Sequence, residues 1–276
     1  MGKDSPGETL HHNGCDLHYW IDGPSGVPVV VFSHGAGTNH SMFDDQVDAV
    51  AHHYRMLRWD MRGHGLSRPA NPPFNCKRAA QDLAALLDYL GEYEIALVGQ
   101  SIGGNVAQEF IFLYPERCKA ALFLGCTCNT WRLSWRDKLL LRIAPILLEM
   151  YPSRVLRKTI ALSSAVTHES RERLLEMTAP LSGHEIASIF SEIVRDLHPE
   201  NGYKIRCPIE IAYGVSDRLG NIKKIAAAWA KRDGAPPPIV IPDAGHCANM
   251  DNPAVFNRLM MMFLATHYPV DSARSI

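Results

Sequence analysis

Gly99-Gln100-Ser101-Ile102-Gly103 lies between the apolar run Ile95–Val98 and a helix-like segment from Asn105. The spacing is G-x-S-x-G, and a strand before it with a helix after it is the setting in which that spacing presents a serine nucleophile. The reason is steric. A serine raised on a sharp strand-to-helix turn takes a strained backbone conformation, and side chains two positions away on either side would collide. Gly99 and Gly103 remove that collision. The turn also aims a helix N-terminus, with unpaired N–H groups and the positive end of its dipole, at the place where a carbonyl oxygen would gain negative charge.

A nucleophilic serine needs a base and an orienting acid, and on this kind of turn the partners follow in the order serine, acid, histidine. After the apolar run Ile209–Tyr213, Gly214-Val215-Ser216-Asp217 places a carboxylate just beyond the C-terminal end of a strand. Asp217 is the candidate acid. After Ile239-Val240-Ile241, the loop Pro242-Asp243-Ala244-Gly245-His246 supplies an imidazole beyond the last strand, so His246 is the candidate base.

With these elements in order, the chain resembles the α/β-hydrolase superfamily from about Val29 to the last helix near His267, the middle insertion matching less well. Ser33-His34-Gly35-Ala36-Gly37, after the strand Val29–Phe32, looks like the family's oxyanion loop. Asp60-Met61-Arg62-Gly63-His64-Gly65-Leu66-Ser67 looks like the D-x-R-G-x-G-x-S loop of esterase-like and lactonase-like members. The resemblance implies acyl transfer. His246 would take the Ser101 proton, Ser101 would attack an ester-like carbonyl, and Asp217 would fix the histidine tautomer. The N–H groups of Ala36 and Ile102 would hold the oxyanion.

Other candidates for each role read differently. Some family members draw the acid from the preceding strand end, but Gly125-Cys126-Thr127-Cys128-Asn129 holds no carboxylate there. Asp243 reads as a turn former. Asp251, ahead of Asn252-Pro253, reads as a helix-start residue. Asp60 and Arg62 read as loop organisers, His34 and His40 as loop supports with a pocket-facing role open. The pairs His11-His12 and His52-His53 read as solvated.

A chain of 276 residues at 46% hydrophobic can build one large α/β core. A formal net charge of −1 gives no broad attraction for nucleic acid or anionic membranes. The segment Met1–Gly7 is polar and no apolar run approaches a membrane span, so the expectation is a cytoplasmic protein without a membrane partner. The 7 cysteines lack zinc-like spacing and read as reduced thiols, and neither metal nor cofactor is expected. Cys247, beside His246, reads as a packing residue.

Short apolar runs at Val29–Phe32, Met56–Trp59, Ile95–Val98, Ala120–Leu124, Ile209–Tyr213 and Ile239–Ile241 alternate with helical patterns at Ala79–Leu90 and Asn105–Tyr114. With Cys15–Ile21 as an early edge strand, they predict a doubly wound, mostly parallel sheet with ligands at the strands' C-terminal ends. The rhythm changes between about Asn129 and Arg206, where stripes at Leu139, Ile143, Ile146, Met150 and at Ile186, Ile189, Phe190, Ile193, Leu197 repeat at helical spacing. Residues 129–206 therefore read as a helical insertion in a core of 1–128 and 207–276. In the family, an insertion here caps the nucleophile.

The expected partner is a small, largely apolar substrate carrying an ester or lactone. Enol-lactonase-like and esterase-like members resemble the chain at the Asp60–Ser67 loop, at Gln100–Gly104 and at Tyr114-Pro115-Glu116-Arg117. Carbon–carbon bond hydrolases, thioesterases and perhydrolases share these motifs, as do non-hydrolytic ligand binders of the same fold. Dehalogenase-like and epoxide-hydrolase-like members carry aspartate where this chain has Ser101. A carboxylated substrate would call for a cation, and the insertion offers Arg132, Arg136 and Arg142, each with a solvated face as the default.

Overall fold

A computed structural model describes residues 7–132, 135, 139, 143, 151–195, 197–200 and 202–270. Its centre is an eight-stranded sheet: β1 (Glu8–His12), β2 (Cys15–Asp22), β3 (Val29–Ser33), β4 (Arg55–Trp59), β5 (Ile95–Gln100), β6 (Cys118–Leu124), β7 (Ile209–Gly214) and β8 (Ile239–Ile241). The spatial order is β1-β2-β4-β3-β5-β6-β7-β8. The first two strands run antiparallel to their neighbours, and β4-β3-β5-β6-β7-β8 are parallel.

Both faces of the parallel part are covered, which is why its strands are nearly unbroken apolar runs. Val31, Leu97 and Phe123 point to one core, shared with α2 (Cys76–Leu90), α3 (Ile102–Leu113) and α7 (Ile222–Asp233). Phe32, Val98 and Leu122 point to the other, shared with α1 (Asp44–Ala51) and α9 (Pro253–His267). The doubly wound α/β architecture is thus present. Among the described residues, no helix is long and apolar enough to cross a membrane.

The early strand differs from expectation. Cys15–Asp22 is the second strand, and Glu8–His12 forms the edge outside it. Glu8-Thr9-Leu10-His11-His12 has a single apolar residue, so periodicity does not reveal it. The turn does. Asn13 and Gly14 both have positive φ, +46° and +69°, and join His12 to Cys15 as a two-residue hairpin of the Asn-Gly kind. His12 also differs from its solvated reading, because its Nδ1 meets the buried Asp82 carboxylate at 2.8 Å. Helix α2 begins earlier than the apolar pattern does, since Asn75 Oδ1 accepts the Arg78 N–H at 2.7 Å and caps it.

Between β6 and β7 the described residues form no strand; they include α4 (Ser153–Ser164), α5 (His168–Thr178) and α6 (Gly183–Arg195). Ile186 and Ile189 are buried as their stripe demands, and Phe190 packs partly buried against the same core. Of the other stripe, Leu139 and Ile143 are 50% and 41% exposed, while Ile146 and Met150 lie outside the described residues.

Candidate active site

Ser101 ends the turn out of β5 with φ +53° and ψ −121°, a left-handed conformation that an L side chain adopts at a cost. The surrounding glycines let it stand there. A Cβ at Gly99 would lie 2.6 Å from Gly104 Cα, and one at Gly103 would lie 2.0 Å from Ser33 O. The elbow is therefore locked between β3 and its own helix. Ser101 N–H donates to Leu124 O at 2.9 Å, which ties the turn to the end of β6.

Asp217 is 1% exposed in the loop after β7, and His246 is 6% exposed in the loop after β8. The two loops are knitted together: Val215 N–H donates to Ile241 O at 2.8 Å and Ser216 N–H to Ala244 O at 2.9 Å. His246 Nδ1 lies 3.0 Å from Asp217 Oδ2, while Asp217 Oδ1 accepts the Leu219 N–H at 2.9 Å. With Nδ1 donating to a carboxylate, Nε2 is the imidazole nitrogen left to accept a proton. Gly125, at the end of β6, makes room for the ring, since a Cβ there would lie 3.2 Å from His246 Nδ1.

Ser101 and His246 line one cavity of about 420 Å³, together with Gly35, Ala36, Asn105 and Thr127 from the strand ends and Ile160, Leu174 and Phe190 from α4–α6. Among the described residues Ser101 Oγ makes no hydrogen bond, to His246 or to any other group. Serine–histidine contacts in substrate-free sites are commonly long and tighten on binding. Ala36, one candidate oxyanion donor, lines the same space from the turn after β3, and Ile102, the other, directly follows Ser101 at the first position of α3. A more open hollow of about 690 Å³ lies at the opposite ends of the strands, lined by Val29, Glu94, Lys119 and Pro208.

Three residues that hold the histidine loop carry no motif of their own. Gln100 Nε2 donates to His246 O at 3.1 Å, so the residue before the serine braces the base. Asp251 does not cap the last helix; Asn252 does, accepting the Val255 N–H. Asp251 closes the short helix α8 (Ala248–Asp251) and gathers backbone donors from two segments. Its carboxylate accepts Gly245 N–H at 2.8 Å, Val166 N–H at 3.0 Å, Thr167 N–H at 3.1 Å and Thr167 Oγ1 at 3.0 Å. Cys247 N–H donates to Ser164 O at 2.8 Å beside it. The α4–α5 turn and the His246 loop are thereby joined.

The loops behind the oxyanion turn are built from buried polar groups. Asp60 accepts from His40 N–H and Leu66 N–H, both at 2.7 Å, and its Oδ1 meets His40 Nδ1 at 2.9 Å. Burial raises the Asp60 carboxyl, but the His40 contact and the Leu66 N–H outweigh it and hold it below its ordinary value. Arg62 grips Asp82 with two bonds of 2.5 and 2.6 Å. His34 is fully buried, its Nδ1 on Gly35 O at 2.8 Å and its Nε2 accepting Met61 N–H at 3.1 Å. Burial lowers its pKa to about 4, and burial beside His34 lowers that of His64 to about 3. Of the arginines offered by the insertion, Arg132 is exposed and outside the cavity lining, and Arg136 and Arg142 lie outside the described residues.

Comparison with known proteins gives the arrangement its context. A family model described as the alpha/beta hydrolase family matches residues 30–259. A 3-oxoadipate enol-lactonase from Acinetobacter baylyi is 33% identical over 110 residues, 40% of this chain and 41% of that protein. A poly(3-hydroxyalkanoate) depolymerase from Ectopseudomonas oleovorans is 28% identical over 49% of this chain and 47% of its own length. The chain thus spans less than half the length of these curated relatives. A thermophilic esterase from Thermogutta terrifontis superposes with a TM-score of 0.81 at 20% identity, over 95% of this chain and 100% of that one.

Proposed function

The chain belongs to the alpha/beta hydrolase family, and from that premise we propose that it cleaves a small-molecule ester or lactone through Ser101, His246 and Asp217 by way of an acyl-enzyme. The observation that carries this reading is the Asp217–His246 contact at 3.0 Å beside a cavity that Ser101 shares. His246 Nε2 takes the proton of Ser101 Oγ as that oxygen bonds to the substrate carbonyl carbon. The carbonyl oxygen becomes an oxyanion held by the N–H groups of Ala36 and Ile102, and His246 then gives its proton to the departing alcohol oxygen. Water, deprotonated by the same nitrogen, releases the acid. Asp217 keeps Nδ1 protonated and stabilises the imidazolium throughout.

Helices α4–α6 act as a cap in this reading, since their apolar side chains form the cavity wall that faces the nucleophile and keeps water out. The names of the relatives, an enol-lactonase and an esterase among them, support an ester-type bond. The test pairs a fluorophosphonate label, located by peptide mass, with turnover of short aryl esters. Ser101 should be the residue labelled, and Ser101→Ala should lower turnover by about six orders of magnitude with its fold retained. An unlabelled Ser101, or near-normal turnover in the variant, overturns the reading and leaves a ligand-binding member of the fold.

A further inference from the structure

Beyond His246, the described lining of the catalytic cavity contains a single ionisable cation, Lys224, and no carboxylate. The remainder is apolar or neutral, so one charge stands at the rim of a space shaped for a small, mostly apolar molecule. Lys224 is exposed, and no carboxylate among the described residues pairs with it. Its neighbour is committed elsewhere: Lys223 Nζ donates to Val215 O and sits 5.9 Å from the centre of the Tyr213 ring.

Helix stability does not explain Lys224. It lies in the first turn of α7, where a cation opposes the helix dipole, and that turn holds no acidic residue to offset it. Asn221 lies three positions earlier on the same helical face and also lines the cavity. Asn221 Oδ1 accepts the Thr127 hydroxyl at 2.8 Å, and its amide NH₂ has no acceptor among the described residues. Lys224 and Asn221, with no acceptor for the ammonium or the amide NH₂ among the described residues, therefore both line the space that Ser101 shares.

We infer that Lys224, assisted by Asn221, selects substrates carrying a carboxylate on an otherwise apolar ester. The inference rests on the hydrolase reading above and adds the charge of the substrate to it. The acyl half or the leaving group can carry the carboxylate, and three matched esters separate these cases: phenyl butyrate, monophenyl glutarate and 4-carboxyphenyl butyrate.

One of the two anionic esters should exceed phenyl butyrate in kcat/KM by about fivefold, chiefly through KM, as expected for an ion pair at the rim of an apolar cavity. Lys224→Met should lower that ester's kcat/KM about fivefold more than it lowers phenyl butyrate's, and Lys224→Arg should restore most of the preference. Raising the salt concentration should narrow the gap in the wild type. No preference for either anionic ester, or an equal loss on all three in Lys224→Met, overturns the assignment while leaving the hydrolase reading intact. Failure of all three esters to react, with Ser101 unlabelled, overturns both.

Discussion

The His34 and His64 rings lie 5.1 Å apart, edge toward face at 62°, and Phe74 lies 5.1 Å from His64 on a further edge contact. His64 Nδ1 meets Arg62 O at 3.1 Å, while its Nε2 is buried without a partner among the described residues. Both imidazoles are neutral in the folded protein, at pKa values of about 4 and about 3 against an ordinary 6.5. The unfolded chain binds protons that the folded one refuses. Stability from this pair is therefore complete above about pH 6.5 and is lost as pH falls toward the folded values. Urea midpoints at stepped pH should fall across that window, and His64→Phe should flatten the fall. An unchanged slope in the variant would assign the acid sensitivity to other groups. The sequence suggested a supporting role for His34, but not that burial alone would keep it uncharged beneath the oxyanion turn.

At the level of elements, the nucleophile turn was readable because its constraints are local. Gly99, Ser101 and Gly103 solve a crowding problem within a few residues, and the apolar runs on either side declare strand and helix. The clasp at Asp251 was not readable, because its donors come from Val166, Thr167 and Gly245, far apart in the chain and joined only by folding. A carboxylate before Asn-Pro has the same local appearance whether it starts a helix or ties two loops together. Replacing it tests the difference. Asp251→Ala should lower the free energy of unfolding by about 2 kcal/mol, the scale of charge-assisted hydrogen bonds lost from partly buried donors. It should also lower kcat more than KM, through a looser His246 loop. Stopped-flow turnover and chemical denaturation of the same preparation would check both, and a loss of stability with kcat intact would confine Asp251 to holding the helices.

On the scale of the whole molecule, alternation of buried strands with amphipathic helices announced the doubly wound core, since a sheet covered on both faces has few other patterns open to it. Strand β1 leaves little trace in the sequence because an edge strand needs only one packed face, and here only Leu10 marks it. The substrate was least legible. The cavity wall combines residues of α4–α6 with residues of the strand-end loops, and no single stretch contains its shape. Phe190 stands on that wall, so Phe190→Ala should lengthen the space and move the preferred acyl chain from short toward longer esters, read as kcat/KM across a p-nitrophenyl series. A preference that stays put would place the limit on chain length elsewhere in the cavity.

The sheet is open, and an open sheet has two margins at which a foreign backbone could dock and begin a fibril. One margin is β1, five residues long, with Glu8, Thr9 and His11 exposed. The other is β8, three residues long, too short to template a stable ladder. Both borders are poor seeds, so intermolecular cross-β growth has to wait for the buried parallel strands to be exposed by unfolding.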